Sequence, residues 1–270
     1  MRWKKKPSWE RRRTVNYGKT EIQAYTIARM IQPEQVVIVG TGLPLVGAIM
    51  AKKSLQPSCT LVVESGLMDF NPIEMPRSVS DLRSMTHCGV TCPPYRYLGF
   101  QANELLHDRG RLIGFIGGAA VDPYGNVSAT CTGDYYHPKA RFPGSGGANG
   151  IASFVNTIII MQHEKRRFVS QMPYITSPGW LAGKDSRKLS GLPENRGPMA
   201  VVSDLGIMKF DTETKRMFLA GYYPFTNPQE VQENTDFALD TSRAVMLPEP
   251  DDEVIQLLRQ IDSAEIYLEK

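Results

Sequence analysis

The sequence alternates short β-branched runs with helical stretches, and this order restricts the chain to an α/β fold. Gln35–Val39 and Thr60–Val63 are apolar runs of strand length. A stretch with apolar residues at helical spacing precedes each of them, Lys19–Ile31 and Leu45–Lys53. Strands separated by helices in this way pair in parallel. We therefore predict an open, mostly parallel sheet flanked by helices, with glycine-rich loops at the active site.

Further elements follow along the chain. The predicted ones are strands at Tyr97–Phe100, Leu112–Ile116 and Thr157–Met161, a hairpin at Ala200–Asp211, and helices at Asn103–Asp108, Pro228–Gln232 and Asp251–Ile261. Asn227 is placed to cap the second of these helices, with Pro228 in its first position. Residues 117–150 hold too many turn-forming residues for long regular elements, and loops of that length inside a domain are often functional.

Charge is concentrated at the start of the chain. Residues 1–13 carry +6, so the remainder of a chain whose net charge is +3 carries −3. We predict a basic, flexible extension over residues 1–15, which lacks a nucleic-acid recognition motif, and a single domain over residues 16–270. No apolar run is long enough for a membrane span. Four cysteines do not suggest a disulfide framework, so we expect a cytoplasmic protein that binds neither membrane nor nucleic acid.

Glu64 is the strongest candidate for chemistry. It directly follows the apolar strand Thr60–Val63, which places a carboxylate at the carboxyl edge of the sheet, where open α/β folds bind ligands. Ser65 and Gly66 come next, and a glycine allows another group to approach the backbone closely. The alternative interpretation is an ordinary surface carboxylate at a strand end.

Two glycine-rich segments are the next candidates. Gly40-Thr41-Gly42 follows a strand and precedes a helix, an arrangement that offers backbone N–H groups to an anion. It lacks the third glycine of a dinucleotide-binding loop and the lysine of a Walker loop. The segment from Gly144 to Gly150 is denser in small residues, which predicts close approach of a ligand or a second chain, the alternative being a flexible linker.

Other side chains are weaker candidates. His87, Cys88 and Cys92 have no second pair of ligands for a metal site, so we predict none. His137 and His163 fit structural hydrogen bonding better than acid–base chemistry. The Lys165–Arg167 cluster suits solvent or a subunit interface better than a phosphate. Without a Gly-x-Ser-x-Gly elbow, a serine hydrolase is disfavoured.

Several long motifs in the same order resemble the B-type chains of glutaconate coenzyme A-transferases, which belong to the family I CoA-transferases. The motifs are VVESGLMD (Val62–Asp69), GTGLPLVGA (Gly40–Ala48), FIGGAAVDPYGN (Phe115–Asn126), GSGGANG (Gly144–Gly150), MQHEKRRF (Met161–Phe168) and TSPGW (Thr176–Trp180). The resemblance runs from about Asn16 into the C-terminal segment and implies the α/β fold of that family.

The resemblance implies covalent catalysis by Glu64. In this family a glutamate carboxylate attacks the acyl-CoA thioester to form a mixed anhydride, and the CoA thiolate then attacks the glutamate carbonyl to give a glutamyl-CoA thioester. Oxyanion or CoA contacts would come from two loops, Gly146, Gly147 and Ala148 in one and Gly118 and Ala119 in the other. Gly40, Gly42, Ser65 and Asn126 form the wider set of candidates.

The resemblance also implies a partner and a substrate class. Coenzyme A would enter as a thioester substrate such as acetyl-CoA, with no permanently bound cofactor, and the acceptor would be a dicarboxylate such as glutaconate. A homologous A-type chain of the CoA-transferase would complete the site, in a larger assembly such as a hetero-octamer.

Two alternatives remain at the level of the sequence. One is a CoA-thioester hydrolase or decarboxylase on the same fold; relatives of that kind lack the glutamate, and this chain has Glu64. The other is a non-catalytic scaffold chain whose partner holds the chemistry.

Overall fold

A ten-stranded sheet runs through the part of the chain that the computed structural model describes, residues 16–93 and 110–269. The basic extension predicted over residues 1–15, the strand predicted at Tyr97–Phe100 and the helix predicted at Asn103–Asp108 lie outside these residues. The strands in chain order are β1 (Val36–Ile38), β2 (Thr60–Val63), β3 (Leu67–Met68), β4 (Val90–Thr91), β5 (Leu112–Ile116), β6 (Ala120–Val121), β7 (Val127–Ser128), β8 (Cys131–Gly133), β9 (Pro138–Arg141), β10 (Asn156–Met161), β11 (Pro198–Ser203), β12 (Gly206–Phe210), β13 (Met217–Tyr222) and β14 (Val245–Met246).

Helices connect these strands. They are α1 (Lys19–Met30), α2 (Leu43–Met50), α3 (Ala148–Phe154), α4 (Ser186–Leu189), α5 (Pro228–Glu233) and α6 (Asp252–Ile261). Helix α2 continues into a wider turn at Ala51–Leu55, and a 3-10 helix covers Leu82–Met85. The predicted cap of α5 is present, because Asn227 Oδ1 accepts a hydrogen bond from Glu230 N at 3.0 Å.

The sheet has a parallel centre with antiparallel pairs on either side of it, and at one edge β14 pairs parallel with β13. Its order is β14-β13-β12-β11-β10-β5-β1-β2-β3-β4. The five central strands, from β11 to β2, are mutually parallel, whereas β11 to β13 and β2 to β4 pair antiparallel. The fold class predicted from the sequence, a mostly parallel α/β sheet, is confirmed, and so is the hairpin at Ala200–Asp211, which is formed by β11 and β12. Strands β6 with β7 and β8 with β9 form two separate small ribbons.

Alternate residues of the central strands pack into two hydrophobic cores, one on each face of the sheet. Val37 packs with helices α1, α2 and α6 on one face, and its neighbour Ile38 packs on the other face with α3 and α5. Burial of each such aliphatic side chain contributes about 1.5–3 kcal/mol. Helix α3 lies very close to β5, because a methyl group at Gly114 would overlap the Ile151 side chain. This close contact holds α3 against the sheet.

Candidate functional site

A crevice opens at the carboxyl edge of the parallel strands. The chain order reverses between β1 and β5, because β1 pairs with β2 on one side and with β5 on the other. Open α/β sheets bind ligands at such a point. The crevice has a volume of about 600 Å³, and residues that follow all five central strands line it: Gly40, Thr41, Glu64, Gly117, Gln162 and Asp204.

Glu64 projects from a tight turn between β2 and β3. Gly66 N donates to Val63 O at 3.0 Å, so Glu64 and Ser65 form the apex of the turn. Gly66 has a φ of +93°, and a methyl group there would overlap the backbone carbonyl of Cys92, so glycine is required by both conformation and space. The turn holds Glu64 at the carboxyl edge of the sheet, where its side chain is exposed.

The Glu64 carboxylate faces the glycine-rich loop. A methyl group at Gly147 would overlap Glu64 Oε2 and lie 3.6 Å from Cδ, so the carboxylate lies directly against the backbone of this loop. Across residues 16–93 and 110–269, the carboxylate accepts no hydrogen bond and forms no ion pair. A carboxylate held in the open with no internal partner has both oxygens available to a ligand.

The loop offers two free backbone donors beside this carboxylate. Among the described residues, the N–H groups of Gly146 and Gly147 have no hydrogen-bond acceptor, whereas Ala148 N donates to Ser145 O at 3.0 Å. Gly146 adopts a φ of +52° with open space around its Cα. Gly147 and Ala148 line the crevice, and Gly146 lies exposed next to them.

The second predicted loop reaches the crevice through a different residue. Gly117 lines it, while Gly118 is packed on the backbone and side chains of β7 and Ala119 N donates to Ser128 O at 2.7 Å. Gly118 and Ala119 are therefore next to the crevice without lining it. Their part in catalysis remains a prediction.

The wider set of candidates divides in the same way. Gly40 lines the crevice, and Gly42, with a φ of +94°, precedes α2 at the end of the same loop. Ser65 Oγ is buried without a hydrogen-bond partner among the described residues. Asn126 lies outside the crevice, and its amide is fully occupied: it donates to Asp122 Oδ2 and to Leu181 O, and Oδ1 accepts from two backbone N–H groups.

Helix α1 and the C-terminal segment also line the crevice, and sequence reasoning missed them. Lys19 and Gln23 come from α1, and Tyr267 and Glu269 from the last described residues. Lys19 Nζ lies 3.9 Å from Asp204 Oδ2, which follows β11. A polar residue at the start of an amphipathic helix carries no local signal of a site, so only the tertiary fold identifies these side chains.

Of the metal and histidine candidates, Cys88 and His163 have side-chain contacts of a structural kind. Cys88 Sγ contacts the carbonyl oxygens of Met68 and Val90 at 3.3 and 3.0 Å. Within the described residues, no group of three or more His, Cys, Asp or Glu side chains could hold a metal ion. No helix in the same residues is long and apolar enough to cross a membrane.

His163 is buried beside the crevice and held by two hydroxyl groups. Nδ1 lies 2.9 Å from Ser203 Oγ and Nε2 lies 2.9 Å from Thr235 Oγ1, while the ring stacks on Phe168 at 3.8 Å. Burial lowers the pKa of His163 to about 3. This residue is neutral at physiological pH, and its geometry is that of a structural hydrogen bond.

The lowered pKa of His163 predicts acid sensitivity. Below about pH 6.5 the His163 side chain is protonated in the unfolded chain. In the folded chain it stays neutral until about pH 3. The contribution of neutral His163 to the free energy of unfolding is therefore present in full above pH 6.5. It is lost as the pH falls from 6.5 to about 3, by at most about 1.4 kcal/mol per pH unit. We expect His163→Gln to reduce the decline of the urea midpoint between pH 7.5 and pH 5. Equal declines for variant and wild type would contradict this.

Comparisons with known proteins agree with this geometry. The coenzyme A transferase family model matches residues 20–234. The chain is 58% identical over 256 residues to the B chain of glutaconate CoA-transferase from Acidaminococcus fermentans, covering 94% of this chain and 96% of that protein. It is 34% identical over 225 residues to the B chain of 3-oxoadipate CoA-transferase from Pseudomonas knackmussii, covering 83% and 84% of the two chains.

Solved structures show the same fold. The crystal structure of glutaconate coenzyme A-transferase from Acidaminococcus fermentans superposes with a TM-score of 0.93 at 57% identity, covering 94% of this chain and 98% of that one. The decarboxylase AibA/AibB superposes with a TM-score of 0.76 at 21% identity, covering 93% of this chain and 97% of that one, and at that identity it shows the fold alone. The family match spans most of the chain, and the sequence-based resemblance is confirmed. The chain therefore belongs to the coenzyme A transferase family, as one of its B-type chains.

Proposed function

We propose that this chain is the catalytic-glutamate component of a heteromeric CoA-transferase that moves coenzyme A from an acyl-CoA to a carboxylic acid. The observation that carries the proposal is the Glu64 carboxylate. It is exposed, has no partner among the described residues, and faces Gly147 at the carboxyl edge of the sheet. Such a carboxylate is free to act as a nucleophile.

The proposed reaction passes through two kinds of covalent intermediate on Glu64. A Glu64 oxygen attacks the thioester carbonyl and expels the CoA thiolate, which gives a mixed anhydride. The thiolate then attacks the Glu64 side-chain carbonyl, releasing the donor acid and leaving a glutamyl-CoA thioester. The acceptor carboxylate repeats the two steps in reverse, so Glu64 is regenerated and no water is consumed. Each tetrahedral intermediate carries an oxyanion. We assign its stabilisation to the N–H groups of Gly146 and Gly147, which have no acceptor among the described residues.

The apolar wall of the crevice suits this chemistry. Ile38, Phe115, Ile151 and Ile160 line it on the side of the sheet and of α3. An activated acyl intermediate survives only where water is excluded, because hydrolysis would divert it. The apolar lining removes water from one side of Glu64, and a second chain would close the other side.

The charge of the crevice supports the need for a partner. Its described lining includes three carboxylates, Glu64, Asp204 and Glu269, against the single lysine Lys19. Coenzyme A and carboxylic acids are anions, so a site with this balance needs cationic or hydrogen-bonding groups from elsewhere. We propose that a homologous A-type chain supplies them, in a larger hetero-oligomer such as a hetero-octamer. This A-type chain is called the A-type partner below.

The acceptor in this proposal is a dicarboxylic acid. Glutaconate, in the name of the relative at 58% identity, and 3-oxoadipate, in the name of the relative at 34%, are both dicarboxylates. We propose glutaconate as the acceptor and acetyl-CoA as the donor. A monocarboxylate would leave the groups that bind the distal carboxylate unpaired and should be used poorly.

Trapping the glutamyl thioester tests the mechanism. The chain, co-expressed with its A-type partner, would be treated with acetyl-CoA and then with borohydride, which reduces a thioester to an alcohol. We expect activity to be lost only when acetyl-CoA precedes borohydride, and peptide mass analysis to place the reduced product at Glu64. Retained activity, or a modified residue in the A-type partner, would contradict the proposal in favour of a hydrolase, a decarboxylase or a scaffold chain.

A further inference from the structure

An exposed cluster of tyrosines and cations stands at the tip of the β8–β9 ribbon. Tyr135 stacks on Tyr174 with ring centroids 4.7 Å apart, and Tyr136 meets Tyr135 edge-on at 5.3 Å. Tyr136 is 81% exposed, which is unusual for a large aromatic side chain. We call Tyr135, Tyr136, Lys139, Arg141 and Tyr174 the tyrosine cluster.

The cluster is ordered by local contacts. Asp134 Oδ1 accepts hydrogen bonds from Tyr136 N at 2.9 Å and from His137 N at 2.8 Å, which fixes the tip of the ribbon. Arg141 Nη2 donates to Tyr135 O at 2.9 Å, and its guanidinium carbon lies 5.0 Å from the centre of the Tyr135 ring. An ordered aromatic surface can accept a planar ligand with little loss of side-chain entropy.

Two cations of the cluster lack acidic partners. In residues 16–93 and 110–269, neither Lys139 nor Arg141 forms an ion pair, and both are exposed. Among the described residues, Arg141 uses one of its five N–H donors, on Tyr135 O. An exposed arginine with free donors next to aromatic faces matches a group that combines a flat ring with phosphates.

The ribbon is tied to the loop that faces Glu64. Phe142 N donates to Thr130 O at 2.8 Å and Gly144 N to Ala129 O at 2.9 Å, so the chain runs directly from β9 into the glycine-rich loop. Gly147 follows Arg141 by six positions in the chain, which limits the distance between their Cα atoms to about 20 Å. An extended pantetheine and pyrophosphate arm spans a distance of this order.

The second side of the cluster is tied to the same loop. Asn149, in the first turn of α3, donates from Nδ2 to Thr176 O at 2.7 Å, and Thr176 lies two residues after Tyr174. Thr176 Oγ1 accepts from Ala129 N at 2.8 Å, which joins this segment to the base of the ribbon. The tyrosine cluster therefore has a fixed position relative to Gly147 and Glu64.

We propose that the tyrosine cluster binds the nucleotide end of coenzyme A, with the adenine ring stacked on Tyr136 and the phosphates on Lys139 and Arg141. The proposal rests on the function proposed above, since the thioester end must lie at Glu64. Stacking on an aromatic side chain recognises the face of a base, and the cations recognise its phosphates. The cluster would thus hold the end of the substrate that does not react and leave the thioester free to move between Glu64 and the acceptor.

Truncated substrates separate this role from a structural one. The assembled enzyme would be assayed with acetyl-CoA and with acetyl-pantetheine, which lacks the nucleotide. We expect Tyr136→Ala and Arg141→Ala each to lower kcat/KM for acetyl-CoA about tenfold and to leave kcat/KM for acetyl-pantetheine unchanged. Arg77→Ala and Leu189→Ala, two exposed residues outside the cluster, serve as controls and should change neither value.

The same variants also give the outcomes that would overturn the proposal. Equal losses with both thioesters, or no loss with either, would contradict it. Altered assembly with the A-type partner and an unchanged ratio of the two kcat/KM values would assign the cluster to the interface between the two chains. Calorimetric titration of the enzyme with free CoA keeps the test independent of catalysis. If the wild type transfers no CoA, the proposed function fails. The proposal for the tyrosine cluster then fails separately if both variants bind CoA as tightly as the wild type does.

Discussion

Replacing Glu64 by glutamine in the enzyme assembled with the A-type partner should lower kcat by several orders of magnitude. The substitution removes the nucleophile, because a neutral carboxamide cannot attack a thioester and form an anhydride. It should leave the fold intact, since the Glu64 side chain is exposed and has no partner among the described residues. Steady-state transfer from acetyl-CoA to glutaconate, with thermal unfolding measured in parallel, checks both parts.

Matched variants show whether the effect belongs to this carboxylate. Glu213 is another exposed glutamate in a turn between adjacent antiparallel strands, β12 and β13, and it lies outside the crevice. Glu213→Gln should keep wild-type kcat. Glu64→Asp retains a carboxylate set back by one methylene, so we expect slow thioester hydrolysis to replace much of the transfer. Wild-type activity in Glu64→Gln would make the chain a scaffold for chemistry in its partner.

The sequence predicts the strands that carry the site because local pattern and tertiary role agree there. Thr60–Val63 and Leu112–Ile116 are buried strands with the predicted bounds, since a central parallel strand must be apolar on both faces. The carboxyl edge of such strands is fixed by their direction. The position of Glu64 at that edge therefore follows from the sequence, with the short Ser-Gly turn after it.

What the sequence does not predict depends on contacts between distant residues. Helix α3 begins at Ala148, inside the segment interpreted as a glycine-rich loop. Ile151 packs against Gly114 of β5, and this tertiary contact stabilises a helix that the local glycines disfavour. The same argument covers Asn126, which forms part of a candidate motif. Three of its side-chain hydrogen bonds are to the backbone of residues 179–181. The pattern of residues around it gives no sign of that use.

Arg187 is the clearest residue that the sequence conceals. It lies in the segment from Gly183 to Pro198 that sequence reasoning interprets as a loop, yet it is only 1% exposed. Its guanidinium group donates to five backbone carbonyls, those of Ala152, Ser153, Pro178, Gly179 and Pro193, at 2.7–3.2 Å. It forms no ion pair with a described carboxylate. Burial lowers the pKa of Arg187 to about 10, so it stays protonated at neutral pH.

This arginine holds the helix that carries the glycine-rich loop. Ala152 and Ser153 lie in the last turn of α3, where carbonyl groups lack partners within the helix and carry partial negative charge. Gly147, at the other end of the same helix, faces Glu64. A cation at the last turn therefore stabilises α3 and, through the helix, positions Gly147.

Replacing Arg187 by alanine should destabilise the enzyme by roughly 3–5 kcal/mol, the cost of leaving buried polar groups unpaired together with a cavity. Arg187→Lys keeps the charge with fewer donors and should be less severe, which keeps the prediction testable if the alanine variant does not fold. Lys188, the next residue, is 64% exposed in its side chain and pairs with Glu194 at 3.1 Å. Lys188→Ala should cost about 1 kcal/mol or less. Urea denaturation of the assembled enzyme at one protein concentration measures the free energy of unfolding of all three variants. Similar losses of stability in Arg187→Ala and Lys188→Ala would show that the buried donors of Arg187 do not hold α3.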